Sequence, residues 1–216
     1  VTNANTEISN YTAVTTLANT DEFVVNDGGV TKKITHANLK ANIAGKQSKF
    51  IPAKDWRPTI TSGCAALAAS ENTAGRPERL TLDFDASSDE FAQAVWRSKA
   101  NWDAGTLSFI VHWTTTATDA DGVAWALQAV AVPDGTPMDV AFGTAVVVTD
   151  DAQSAATDVL ATAESGDLTV AGSPTAGDLI YFQIFRDVSD ANDDMTEDAG
   201  LIGVTIFFTT NDTNED

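Results

Sequence analysis

Beyond residue 50 the apolar side chains recur with a period of two. Leu80, Leu82 and Phe84 alternate with polar neighbours, and Leu107, Phe109, Val111 and Trp113 fall on one strand face. Val123, Trp125, Leu127 and Ala129 likewise share one face, and residues 179–185 (LIYFQIF) and 201–209 (LIGVTIFFT) are long and β-branched or aromatic. A period of two places one face of a strand in a core and the other toward solvent. Shorter candidates fall at 145–149, 159–160 and 168–170, while 91–96 reads as strand or helical turn. Turn signals separate them: Asp103-Ala104-Gly105, Asp121-Gly122, Pro133-Asp134-Gly135, Ser165-Gly166-Asp167 and Gly177-Asp178. Some eight strands at such spacing, without a long amphipathic helix, predict an antiparallel β-sandwich of jelly-roll type over residues 50–216.

The N-terminal fifth is organised differently. Residues 1–10 are polar. In residues 11–45, apolar runs at 23–25 and 30–34 flank Asn26-Asp27-Gly28-Gly29, the composition of a tight hairpin turn. Thr35 suits a helix N-cap, Leu39 and Ile43 share one helical face, and Gly45 suits the C-terminal cap. A hairpin with one short helix buries too little apolar surface to stand alone. Its apolar set, Leu17, Phe23, Val25, Ile34, Leu39 and Ile43, is therefore expected to pack either on the rest of this chain or on another molecule, as an anchor and assembly interface. Residues 46–49 (KQSK) read as a linker between the two parts.

Charge narrows the partners. Residues 1–118 hold 11 Lys/Arg and 12 Asp/Glu, whereas residues 119–216 hold 19 acids and one base, Arg186. The formal net charge of -19 disfavours nucleic acid and anionic membranes. The polar N-terminus has no signal-peptide pattern, and no apolar run approaches the roughly 18 residues of a bilayer span. Synthesis in a cytoplasm without Sec-type export is the expectation.

Chemistry-bearing motifs are sparse. There is no P-loop and no nucleophile elbow, and His36 and His112 lack metal-binding spacing. Cys64, the single cysteine, reads as a small buried hydrophobe. His112 points to the side opposite Val111 and Trp113, at a surface or interface. Asp190, Asn192 and Asp194 open like a calcium loop, but Met195 and Leu201 stand where that loop needs Gly and Glu. They are a weak Ca²⁺ candidate beside the alternative of a solvated loop capped by its own Asp side chains. Arg186 is expected to pair with a carboxylate, Asp187 first. Trp113 and Trp125 belong to core faces; Trp56 and Trp102, near turns, are the candidate platform for a glycan. No enzymatic activity and no resident cofactor are expected.

Leu17, Asp21, Phe23, Val24, Val25, Asp27, Thr31, Lys32, Lys33, Ile34, Thr35, Asn38 and Leu39 lie in a segment that resembles the N-terminal region of many tailed-bacteriophage virion proteins, fibres and appendages above all. The remainder, from FIPAKDWRPTITSGCA to the acidic loop and final strand, is similar to the globular domain of small phage structural proteins. The resemblance implies a non-enzymatic virion protein, a short fibre or appendage subunit anchored by its N-terminal segment. It also implies assembly with other virion proteins and a homotrimer. A capsid decoration or cement protein and a glycan-recognising receptor-binding tip are the alternatives.

Overall fold

The computed structural model describes residues 17–18, 20–36, 38–39, 45–153 and 155–211. The chain divides into two compact units, Val1–Ala44 and Gly45–Asp216.

In the first unit, β1 (Glu22–Asp27) pairs antiparallel with β2 (Val30–Thr35). Gly28 and Gly29 adopt φ of +60° and +83°, the left-handed turn that the Asp-Gly-Gly sequence predicts. Asn26 Oδ1 accepts the Gly29 amide at 2.9 Å and ties the turn. Phe23 and Ile34 are paired and half-buried, as is Val25, while Val24 on the other face is 78% exposed. Thr35 Oγ1 accepts the Asn38 amide at 3.2 Å, the bond of an N-cap, and His36, Asn38 and Leu39 are helical. Leu17 is exposed and Leu39 half-buried; Ile43 lies outside the described residues.

The second unit is an antiparallel β-sandwich. Its strands are β3 (Lys46–Pro52), β4 (Arg57–Pro58), β5 (Ala68–Ser70), β6 (Arg79–Phe84), β7 (Phe91–Arg97), β8 (Ser108–Thr115), β9 (Gly122–Val132), β10 (Val146–Asp151), β11 (Leu160–Ala161), β12 (Leu179–Arg186) and β13 (Ala199–Thr209). One sheet runs β10-β9-β12-β7-β4; the other runs β11-β8-β13-β6-β5, with β3 also on β13. From β6 to β9 and from β10 to β13 the chain changes sheet at every step, the crossing pattern of a jelly roll. Residues 91–96, open between strand and helical turn by pattern alone, are strand β7.

Residues 46–49 are not a linker. They open β3, where Lys46 to Lys49 pair with Thr209 to Ile206. Their polar side chains hid the strand, because an edge strand meets solvent along much of its length. Along one side β13 pairs first with β6 and then with β3, and the change of partner falls at the register shift between Leu201 and Gly203.

The core lies between the sheets. Phe84 of one sheet meets Trp125 of the other edge to face, centroids 5.1 Å apart at 82°. Leu82, Phe109, Val111, Trp113, Phe182 and Leu201 are fully buried around them. On β9 the burial exceeds a simple alternation: Ala124, Ala126 and Val130 are buried as well. Ala126 is paired with Phe185 on one flank and Val147 on the other, so larger neighbours rise above it.

Arg186 is fully buried in this interior. Its partner is Asp193, not Asp187: Nε donates to Asp193 Oδ2 at 2.9 Å and Nη2 to Oδ1 at 2.7 Å. Alternation explains the difference, since Arg186 continues the inward phase of Ile180, Phe182 and Ile184. The Asp187 carboxylate instead accepts the Ser189 hydroxyl at 2.7 Å. Removing one partner strands the other charge in the core, at a cost of about 3–5 kcal/mol. Arg186→Met is therefore expected to lower the melting temperature by roughly 10 °C, measured by calorimetry. A shift below about 2 °C would show that the pair carries little of the fold's stability.

Candidate ligand-binding face

The residues singled out by sequence do not form one site. Trp56 and Trp102 are 3% and 1% exposed, so neither can present a ring to a glycan. Trp56 Nε1 donates to the Ile51 carbonyl at 3.2 Å, and Trp102 packs at 6.1 Å from Trp96. Proximity to turns suggested exposure; the large apolar area of indole favoured burial at the sandwich ends.

Asp190, Asn192 and Asp194 do not converge. Asp190 Oδ1 accepts both the amide and the side-chain nitrogen of Asn192, each at 2.9 Å. Asp194 Oδ1 accepts the Gly122 amide at 2.7 Å. Among the described residues no three His, Cys, Asp or Glu side chains are grouped to hold a metal. The Asp residues shape turns and dock the loop, an established use of short acidic side chains.

Cys64 is buried, and its thiol is pushed up to about 12 by that burial, with Glu90 adding to it. His112 is half-buried. It bonds Thr205 Oγ1 at 2.9 Å, meets Phe50 edge-on at 5.6 Å, and burial lowers its pKa.

A coherent surface does emerge on the outer face of the five-stranded sheet. Residues 179, 181, 183 and 185 of β12 alternate outward, as do 91, 93, 95 and 97 of β7. Register then aligns Gln128, Gln183, Gln93 and Arg57 in one row across β9, β12, β7 and β4. On one side of the row Tyr181 sits between Val130 and Val95. On the other, Phe185 pairs with Phe91, their rings 5.1 Å apart. Gln128 Nε2 donates to Gln183 Oε1 across the β9–β12 pair. Residues 58–61 form a wall beside the row, enclosing a cleft of about 580 Å³ lined by Arg57, Ile60, Gln93 and Gln183. Thr59 Oγ1 fixes that wall by donating to the Thr61 carbonyl at 2.7 Å, and the Ile60 side chain projects fully into solvent.

Chemically, amides present donors and acceptors together, and half-exposed rings present flat apolar faces. That pairing suits a neutral ligand with hydroxyls on its edges and C–H groups on its faces. The sequence carried a signal for it: Gln93 and Gln183 interrupt the solvent phase of otherwise apolar strands, each beside an aromatic residue two positions away.

No protein-family model matches the chain, and no curated protein sequence matches it. Among solved structures it is similar to CBM35 from Cellvibrio japonicus Abf62, at a TM-score of 0.39 and 8% identity over 74% of this chain and 92% of that one. It is also similar to the CBM22-1–GH10 modules of the Clostridium thermocellum endo-1,4-beta-D-xylanase 10B complexed with xylohexaose. There the TM-score is 0.40 and the identity 15%, over 78% of this chain and 28% of that one. A third is the CBM36-1 domain of a multidomain xylanase from a Trinervitermes trinervoides hindgut metagenome, at 0.35 and 7%, over 74% and 96%. The superpositions are loose and assign no residue of this chain a role.

The raised thiol pKa sets a test of the interior. In native protein at pH 8, Cys64 is expected to resist a thiol-specific disulfide reagent and to react fully once guanidinium unfolds the sandwich. Fast labelling of the native state would show that the Cys64 region opens.

Proposed function

We propose that this chain is a non-catalytic, glycan-recognising head of a tailed-phage appendage. The observation that carries the recognition half is the row Gln128, Gln183, Gln93 and Arg57, flanked by Tyr181 and by the Phe91–Phe185 pair. Saccharides expose hydroxyls in the ring plane and C–H patches above it. Amides and a guanidinium answer the first; half-exposed rings answer the second. The net charge of -19 restricts this reading to neutral or basic glycans, because a polyanionic chain would be repelled.

The virion half rests on the resemblance of the N-terminal segment to phage appendage proteins, and two structural features support it. The segment forms its own unit, and its hairpin leaves Phe23, Val25 and Ile34 only half-buried, with Val24 and Val30 exposed. An apolar hairpin of this size needs a partner surface to be stable. In this reading the first unit anchors the protein to the particle and to its own copies, a trimer being the expected assembly, and the sandwich projects outward.

The double variant Gln93→Ala/Gln183→Ala is expected to weaken binding to its best neutral polysaccharide at least tenfold, read by affinity electrophoresis against a panel of soluble glycans. Tyr181→Ala should lose a comparable factor, since these side chains lie partly exposed on the outer face of the sheet. Unchanged mobility of both variants in every glycan that retards the parent protein would sink the assignment of this face.

A further inference from the structure

The opposite sheet carries a second depression that the reading above does not use. Gly200 on β13 lies in register between Thr114 on β8 and Asp83 on β6. All three face outward, because Ala199 and Leu201 take the core side. A Cβ at position 200 would sit 2.9 Å from Asp83 Oδ1, 3.2 Å from Thr114 Cγ2 and 3.3 Å from Thr81 Cγ2. These side chains close in over Gly200, which lines a cleft of about 550 Å³ together with Arg79, Asp198 and Thr157.

Two polar groups at this cleft are buried and unpartnered. Thr114 is 7% exposed, and its Oγ1 meets no hydrogen-bond partner in the protein. Arg79 donates from Nε and Nη2 to Ser70 Oγ at 3.3 and 3.2 Å, yet its buried Nη1 has none. Most buried polar groups of native proteins are hydrogen-bonded, and two exceptions beside one cleft ask for an explanation, of which a bound molecule is one. The Asp198 carboxyl is held above the usual carboxylate range by burial and by nearby Asp85 and Asp83. The site therefore brings the carboxylate acceptors of Asp83 and Asp198 together with the guanidinium donor of Arg79.

That arrangement selects a ligand class. A bare cation would face the Arg79 guanidinium, and no three-carboxylate group is gathered among the described residues. An anion would face Asp83 and Asp198. A neutral molecule bearing donors and acceptors on adjacent atoms satisfies all of these groups at once, and vicinal hydroxyls do this. We propose that the Gly200 cleft is a second saccharide subsite, on the sheet opposite the glutamine row. It takes one sugar unit through hydroxyls bonded to Asp83, Asp198, Arg79 and Thr114. The inference rests on the glycan reading for its ligand class and on the cleft for its location.

The test is amide-resolved NMR of the ¹⁵N-labelled full chain titrated with glucose, galactose, mannose and xylose, and separately with calcium chloride. At least one sugar should shift the Thr114, Asp83 and Gly200 amides. Thr114→Val, which keeps the shape and removes the hydroxyl, should weaken that response roughly tenfold. Gly200→Ala should abolish it while responses near Gln183 persist; where Gly200→Ala fails to fold, Thr114→Val decides. Sugar responses confined to the Gln93 and Gln183 region would overturn the subsite and leave the proposed function standing. No sugar response anywhere would overturn both. A cleft that answers calcium and no sugar, or a Thr114→Val protein that responds as the parent does, would also overturn the subsite.

Discussion

The buried pairing of Arg186 with Asp193 is the contact on which one end of the sandwich depends. Arg186 is the only cation between residue 119 and the C-terminus, and it is placed where no water can solvate it. The loop of residues 187–198 folds back to meet it. Asp193 supplies both oxygens, and the Glu197 and Met195 carbonyls accept from Nη1 and Nη2. Asp193 Oδ2 also accepts the Ala124 amide at 2.9 Å, and Met195 donates its amide to the Gly122 carbonyl at 3.0 Å. One side chain therefore stitches β12, β9 and the acidic loop together. The same loop ends at Thr196, Glu197 and Asp198, which border the cleft over Gly200. Such a pair is a weak source of net stability against an apolar core, yet costly to break. Its use here is positional: it sets where the loop's polar groups point.

The parts of the fold legible in sequence were those with a strong period. Residues 107–113, 123–129 and 179–185 alternate because one face of each strand is buried, and that pattern was enough to predict an antiparallel sandwich. The hairpin turn was equally plain, because few sequences tolerate two successive positive φ values. Lys46 to Lys49 read as a linker because the charges of an edge strand resemble those of a linker, whereas they pair with β13. Arg186 was recognised as paired, but its partner seven residues on depends on the path of a loop, which no period encodes. Trp56 and Trp102 failed for a related reason: a turn locates the backbone without saying which side a ring takes.

The glutamine row was half visible. Gln93 and Gln183 stand out as polar residues beside aromatics on outward phases, but their alignment with Gln128 and Arg57 is a matter of register. Register between strands distant in the chain is fixed by packing of the whole sandwich. The Gly200 cleft was not visible at all. A glycine in a strand reads as a bulge or a close approach, and only the pairing of Gly200 with Thr114 and Asp83 shows which side chains crowd it beside the cleft.

Charge and surface chemistry together bound what both faces can hold. The sandwich contains nearly all of the excess acid, so its field is repulsive to anions at long range and screened only over about 8–10 Å at physiological salt. Within that field the two surfaces are built from groups that do not need a charged partner: amides and rings on one sheet, threonine hydroxyls and a mixed Arg–Asp wall on the other. A neutral ligand escapes the repulsion and loses little on desolvation, whereas a cation would be drawn to the acidic surface generally and not to either cleft. A ligand bound in the proposed mode would be selected at these faces by hydrogen-bond geometry, while the acidic charge outside them repels like-charged surfaces.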